Sequence, residues 1–206
     1  MRILHVLPTY LPAFRHGGPI FSVHGLCKAL AKLGHEIHVF TTNVDGKKNS
    51  PVALNQPISV EGVHVWYFPS VFLRNLYFSP PLHRALASQM KDFDLVHLHS
   101  IFRWPTWAAA REALRAGVPY LVAPRGMLVA ELIRRKNRWL KLLWLRWVEK
   151  RTLESAAAIH ATTELEADEI RNFNLRLPPV FVIPNGVILE NPRNVGPLSP
   201  AVQKAI

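Results

Sequence analysis

Two adjacent glycines, Gly17 and Gly18, form the first stretch whose residue types could bind a ligand. They lie between an apolar run and a helical pattern, where glycine lets the backbone approach a ligand closely. The N–H groups at the start of the following helix favour anionic oxygens, so phosphate or sugar phosphate is the first ligand to consider. A flexible loop without a ligand would use the same pair. The sequence has neither a G-x-G-x-x-G pattern nor a P-loop pattern, and we expect no cofactor and no metal.

The elements that position these glycines are strands alternating with helices. Seven short apolar runs predict strands, at residues 3–7, 35–42, 63–68, 94–100, 118–123, 156–161 and 180–183. Near-continuous apolar strands that alternate with helical patterns indicate a parallel sheet covered on both faces. The predicted class is therefore α/β, a doubly wound parallel sheet of about seven strands.

The first helix and the loop after the second strand are also predicted from pattern. Helical spacing puts four apolar residues on one face of the first helix, and Gly34 ends it. These residues are Val23, Leu26, Leu30 and Leu33. The polar stretch 43–56 is predicted to be a surface loop.

The candidate ligand site lies at the carboxyl ends of the strands, because ligands of doubly wound sheets bind in the crevice there. The residues that follow the strands include a histidine, an arginine and several small polar groups. They are Gly17, Gly18, Thr41, Thr42, His99, Ser100, Arg125, Gly126, Thr162, Thr163 and Glu164. His97 faces the same side of its strand as His99 but lies deeper, as a second candidate or a hydrogen-bonded core histidine.

Composition limits the class of protein and its partners. The chain has 206 residues, of which 49% are apolar, enough for one large domain with a substantial core. Its single cysteine, Cys27, can form no internal disulfide, and no apolar run is long enough to span a membrane, so a cytoplasmic protein is expected. The net charge of +11 favours polyanions: nucleic acid, acidic lipid headgroups or phosphorylated substrates.

Much of the excess charge falls in residues 131–151, where eight basic residues accompany only two acidic ones. Helical spacing predicts that Trp139 and Trp147 pack on the sheet while Leu142 and Leu145 are exposed among basic residues. Exposed leucines beside lysine and arginine favour an anionic membrane surface, and a simple solvated basic face is the alternative. No recognition motif supports nucleic acid as the partner.

Five segments together resemble the N-terminal domain of GT-B glycosyltransferases of family 4, a retaining group. They are Gly17-Gly18, the turn at 30–36, the strand at 94–99, Ala161-Thr162-Thr163-Glu164, and Ile183-Pro184-Asn185-Gly186-Val187. Within that family, residues 124–128 and the basic segment resemble enzymes of bacterial surface polysaccharide synthesis. The resemblance implies one Rossmann-like half of a GT-B fold and a place in the cytoplasm, peripheral on the inner membrane.

The resemblance also implies a reaction and a set of site residues. A sugar would pass from a nucleotide-diphosphate sugar to a glycan or lipid-linked acceptor, with the glycine loop near the donor diphosphate. His99 would be catalytic and contact the transferred sugar, and Arg125 would bind phosphate through its planar fork, with a strand-capping salt bridge as its alternative. The remaining substrate-binding residues would be Gly17, Gly18, Gly126, Thr163, Glu164 and Asn185.

The sequence departs from this family after Val187. Residues 1–188 are predicted to form the acceptor-side domain, and 189–206 are predicted to be a linker or disordered tail. Too few residues follow Val187 to form the nucleotide-binding second domain of the family, so either this chain is a domain fragment or the gene product is truncated. We expect the isolated chain to be a poor enzyme or an inactive one. The alternative is a non-catalytic module that binds sugar phosphate or membrane.

Overall fold

The structure is a computed structural model that describes residues 1–13, 15, 18–129, 139, 143–173 and 175–186. Gly17 and the predicted tail at 189–206 lie outside these residues. The strands are β1 (Arg2–Val6), β2 (Glu36–Thr42), β3 (Val44–Asp45), β4 (Lys48–Asn49), β5 (Pro57–Val60), β6 (Val63–Phe68), β7 (Leu95–His99), β8 (Tyr120–Ala123), β9 (Ala158–Ala161) and β10 (Val180–Val182). The helices are α1 (Gly18–Lys32), α2 (Pro80–Gln89), α3 (Trp104–Ala116), α4 (Lys150–Glu154) and α5 (Glu164–Arg171).

An eight-stranded sheet of order β10-β9-β8-β7-β1-β2-β6-β5 forms the centre of the fold. Seven of its strands are parallel, which confirms the predicted Rossmann-like class. The eighth, β5, was not predicted and pairs antiparallel with β6 at the edge of the sheet. Its side chains alternate between exposed and half-buried, so it lacks the continuous apolar run of the buried strands.

Alternate residues of the central strands enter two separate cores. In β1, Leu4 and Val6 pack in the core beneath α2 and α3, whereas Ile3 packs with Val23 and Cys27 of α1. His5 takes the same face of β1 as Ile3, because side chains in a strand alternate. This alternation directs the polar residues of β1 and β7 toward the face covered by α1.

The buried face of helix α1 matches the predicted one only in part, because Val23 is buried and Leu30 is half-buried against the core. Its buried residues are Ile20, Val23, His24 and Cys27. Leu33 was predicted to be buried but is 74% exposed, because α1 ends at Lys32 and the chain turns through Gly34 with a φ of 87°. The packing face of the helix therefore ends at Leu30 and Ala31, just before this turn.

The predicted surface loop at 43–56 contains the β3–β4 hairpin, a short antiparallel pair. Arg74, in a 3₁₀ turn after β6, fixes this hairpin from outside. Its guanidinium donates to Lys48 O at 2.8 Å and to Asn49 Oδ1 at 2.6 Å. The hairpin is thereby fastened to the segment that follows β6.

The basic segment presents the opposite face from the predicted one, in the part the structure describes. Leu145 is only 7% exposed, whereas Trp139, Leu143 and Trp147 are 82%, 57% and 73% exposed. Residues Leu145–Glu149 form a π-helical turn, which rotates the following side chains relative to an α-helix. Leu142 lies outside the described residues. Among the helices that the structure describes, none is long and apolar enough to span a membrane.

Candidate active site

Four buried imidazoles meet near the carboxyl edge of the sheet, and we call them the histidine cluster: His5, His97, His99 and His160. His5 on β1 pairs in register with His97 on β7. The ring centroids of His97 and His99 are 4.1 Å apart, and those of His97 and His160 are 5.3 Å apart. On the intervening strand β8, the side chain in register with His99 is the methyl group of Ala123, which leaves room for the rings.

Arg125 fixes the protonation pattern of one branch of the cluster. A guanidinium can only donate, so Arg125 Nη2 donates to His99 Nδ1 across 3.3 Å. His99 must then carry its proton on Nε2 and donate it to His5 Nδ1, 2.9 Å away. His5 in turn carries its proton on Nε2, a buried donor without a partner among the described residues. The branch therefore ends in one unused N–H.

A backbone carbonyl fixes the second branch. His160 Nε2 lies 2.9 Å from Ile183 O, to which it can only donate. His160 Nδ1 is therefore an acceptor, and His97 Nε2 donates to it across 3.3 Å. His97 is thus the hydrogen-bonded core histidine that was one of its two predicted alternatives.

The cluster is neutral at physiological pH. Burial, with a smaller contribution from the charge of Arg125, lowers the pKa of His5 to about 3. Burial and the neighbouring groups hold the pKa values of His97 and His99 well below the usual range, and burial also lowers the pKa of His160. The positive charge in contact with the cluster is accordingly that of Arg125.

Arg125 is held in an unusual backbone conformation directly after β8. Its φ is 57°, in the left-handed region that non-glycine residues rarely adopt. Its Nη1 donates to Asn185 Oδ1 and lies 3.5 Å from Ser22 Oγ in α1. Its Nε is buried and has no partner among the described residues. The fork is thus positioned by three elements and retains an unused donor.

Glu166 ties the two neighbouring loops together. One of its oxygens accepts from Gly126 N at 2.6 Å. The other accepts from both the backbone N and the hydroxyl of Thr162, each at 2.7 Å. Thr163 caps the same helix, because its hydroxyl accepts from Glu166 N at 3.1 Å. The segments that follow β8 and β9 are therefore fixed to each other.

Most of the predicted site residues come together here. His99, Arg125 and Asn185 form one hydrogen-bonded chain, and Glu166 links Gly126 to the start of α5 beside Thr163. Glu164 is exposed, and its side chain makes no hydrogen bond or ion pair with the described residues. Gly18 is the first residue of α1, and open space surrounds the position where a Cβ would lie. Gly17 is outside the described residues.

The sequence analysis did not identify His5, His160 or Glu166. His5 had a visible signal, since it lies near the end of an apolar strand as His97 does. His160 likewise lies one residue before the end of β9. Glu166 had none, because its role depends on the left-handed turn that presents Gly126 N to it.

The cluster has the residue type of a metal site without the arrangement of one. Ligand nitrogens of His5, His97 and His99 lie within 4.8 Å of one another. A cation there would have to displace the proton shared by His5 and His99 and lie close to the guanidinium of Arg125. We assign no metal to it.

Comparison with known proteins places the fold. The family model of the glycosyl transferase 4-like domain matches residues 17–186. Sucrose-phosphate synthase from Thermosynechococcus elongatus superposes with a TM-score of 0.62 at 17% identity, over 90% of this chain and 48% of that one. Anabaena HepE in complex with UDP and glucose gives 0.58 at 17% identity, over 91% and 45%. No curated protein sequence matches significantly.

A third structure, from E. coli and described as trehalose-6-phosphate bound with UDP-2-fluoro glucose, gives a TM-score of 0.56 at 14% identity, over 100% of this chain and 54% of that one. The chain thus spans about half the length of these structures. At such identities the likeness establishes a common fold, and the match to the family model establishes the family. The chain belongs to the glycosyl transferase 4-like domain family.

Proposed function

We propose that this domain forms the acceptor side of a retaining glycosyltransferase. A sugar would pass from a nucleotide-diphosphate sugar to a glycan or lipid-linked acceptor of a cell-surface polysaccharide. The observation that supports this most directly is the Arg125–His99 pair at the carboxyl edge of the sheet, within a domain of this family. Nucleotide sugars as donors fit the UDP and UDP-sugar complexes named for the structural neighbours.

Arg125 is the residue that would bind a phosphate or sugar oxygen. Its buried Nε is an unused donor, and a planar guanidinium matches an oxyanion through two parallel hydrogen bonds. The first turn of α1, near Ser22, lies beside it and supplies backbone N–H groups at a helix N-terminus. Both features favour a ligand rich in acceptor oxygens.

His99 would act as a neutral imidazole. Both of its nitrogens are engaged in the absence of ligand, and it is 1% exposed. A ligand that draws the Arg125 fork away frees His99 Nδ1 as an acceptor for a sugar hydroxyl, while Nε2 stays bonded to His5. The neutral form suits this role, since an imidazolium has no acceptor nitrogen.

Transfer and hydrolysis assays of the intact protein with UDP-glucose and other nucleotide sugars test the function. The anomeric configuration of the product, read by NMR, tests retention. We expect His99→Ala to lose most activity with its fold intact by circular dichroism, and His64→Ala, an exposed histidine on β6, to keep it. A folded His99→Ala enzyme with normal turnover would refute the role of His99.

A second candidate function is a non-catalytic module that binds sugar phosphate or an anionic membrane. The observation that favours membrane contact, for either candidate, is the exposure of Trp139, Leu143 and Trp147 beside basic residues. Calorimetry of the chain with nucleotide sugars and with anionic vesicles separates the candidates. Vesicle binding that does not depend on nucleotide, in a protein without transfer activity, would favour the module.

A further inference from the structure

A cationic cleft of about 650 Å³ lies between the β3–β4 hairpin, the turn after β6 and the start of α3. Three basic side chains line it, Lys47, Arg74 and Arg103, together with Tyr77. No acidic residue is among the described residues of the lining. Because like charges gathered in a concave surface attract counter-ions, the cleft favours an anionic group.

The cleft opens at the same edge of the sheet as the histidine cluster. Lys47 follows β2, Arg74 follows β6 and Arg103 follows β7, each beyond the carboxyl end of its strand. In the strand order, β2 and β6 lie on one side of β7, whereas Arg125 follows β8 on the other side. Lys47 and Arg74 therefore follow strands on the opposite side of β7 from Arg125.

The basic residues of the cleft differ in how firmly their side chains are held in place. Arg74 donates to Ser70 O at 3.1 Å as well as to the hairpin, and among the described residues the oxygens that accept from it are all uncharged. Its positive charge is therefore held in place without a carboxylate to neutralise it. Arg103 lies over the ring of Tyr77 at 5.5 Å and reaches Asn75 O at 3.4 Å. Lys47 is exposed and can turn toward a ligand.

An exposed apolar strip adjoins the cleft. Val71, Phe72 and Leu73 directly precede Arg74 and are 82%, 56% and 57% exposed. Leu73 has a left-handed φ of 50°, and the ring of Phe72 packs 4.9 Å from that of Phe78, so the strip has a defined conformation. Three consecutive large apolar side chains thus face solvent beside the cationic cleft, a surface that favours an apolar ligand.

We propose that the cleft binds the acceptor substrate through a phosphate group, with the apolar part of the acceptor on Val71–Leu73. Lys47 and Arg103 would contact the phosphate oxygens, and Arg74 would add its fixed charge. This inference rests on the proposed function in one respect: the ligand is an acceptor only if the protein transfers sugar. The cleft itself defines the ligand chemistry, an anionic head joined to an apolar chain.

Calorimetric titration of the chain with hexyl phosphate tests the site without a donor sugar. The hexyl phosphate is kept at concentrations where it does not self-associate. We expect hexyl phosphate to bind. Hexanol, which lacks the charge, and inorganic phosphate, which lacks the apolar chain, should each bind at least about tenfold more weakly. We expect Lys47→Glu to weaken hexyl phosphate binding about tenfold or more. Lys32→Glu, the same charge change at the exposed end of α1, is the matched control.

Each other result overturns a stated part of the proposal. Equal affinities of Lys47→Glu and Lys32→Glu would exclude the cleft. Hexanol that binds as tightly as hexyl phosphate would exclude the anionic head, and inorganic phosphate that does so would exclude the apolar strip. If the intact protein transfers sugar but Lys47→Glu leaves hexyl phosphate binding unchanged, this inference alone is overturned. Binding at the cleft without transfer in the intact protein would overturn the proposed function alone.

Discussion

Arg125 and His99 are joined by a hydrogen bond in which the guanidinium donates from Nη2 to Nδ1 across 3.3 Å. Replacing Arg125 by lysine keeps the charge but removes the planar fork that reaches His99 and Asn185 together and that we propose binds a ligand oxygen. We expect kcat/KM for sugar transfer to fall by about 10- to 100-fold, the equivalent of one or two charge-assisted hydrogen bonds.

The control for Arg125→Lys is Arg111→Lys, at a guanidinium that lies over the ring of Trp107 in α3. Its kcat/KM should stay within about twofold of the wild type. Steady-state kinetics with the nucleotide sugar measure both variants. Wild-type kinetics in Arg125→Lys would remove this residue from the site.

The histidine cluster should make the protein sensitive to mild acid. Its imidazoles have pKa values lowered by burial, so between about pH 6.5 and the lowered values the unfolded chain binds protons that the folded chain does not. Stability is therefore lost as the pH falls below about 6.5. Each fully neutral imidazole contributes about 1.4 kcal/mol per pH unit in that window.

Urea unfolding at pH 7.0 and at pH 5.5 measures this loss. Replacing His97 by glutamine should reduce the stability lost between these two pH values by about 1.3 kcal/mol, whatever it does to stability at pH 7. His64→Gln, at an exposed histidine, is the control. An unchanged slope in His97→Gln would contradict the neutral state of the cluster.

Glu166→Gln should destabilise the fold, because a carboxylate that accepts from three donors becomes an amide with one acceptor oxygen. Its NH₂ group would then face a backbone N–H. We expect the free energy of unfolding to fall by about 2–3 kcal/mol. Glu164→Gln, two residues away and exposed, should change it by less than about 0.5 kcal/mol. Similar values for the two variants in urea unfolding would show that the carboxylate does not hold the loops.

Trp147→Ser should weaken adsorption to vesicles that contain anionic lipid. The indole is 73% exposed beside basic residues, and its transfer into the interface adds apolar burial to the electrostatic attraction. We expect about a tenfold loss in partitioning, measured by vesicle co-sedimentation. Leu165→Ser, also at 73% exposure but on α5, is the control. Equal partitioning of the two variants would exclude the Trp147 surface from membrane contact.

The parallel strands could be predicted because each is a short apolar run ended by a turn residue. β5 could not, since Pro57–Val60 is a strand only through its pairing with β6. The faces of the basic segment were predicted wrongly for a related reason. The Glu149 carboxylate accepts from Phe102 N at 2.7 Å and from Trp144 Nε1 at 2.9 Å. The contact between Phe102 and Glu149 spans 47 residues of sequence, so local periodicity cannot predict it.

The candidate site was predicted as far as strand ends could be located. His99, Arg125 and Asn185 each follow or end a predicted strand, and the structure joins them. The hydrogen-bond order among the imidazoles was beyond prediction, because it depends on strand register and on the backbone conformation of Arg125. Glu166 likewise acts through a turn conformation that composition does not reveal.

The histidine cluster also bears on how the chain folds. His5 and His99 are 94 residues apart in sequence, so their hydrogen bond closes a long loop and forms only when β1 and β7 are paired. A slip of one residue in β9 would turn His160 to the opposite face of the sheet. The approach of the imidazoles therefore requires the native register of the sheet, and their NMR signals would report whether that register has been reached.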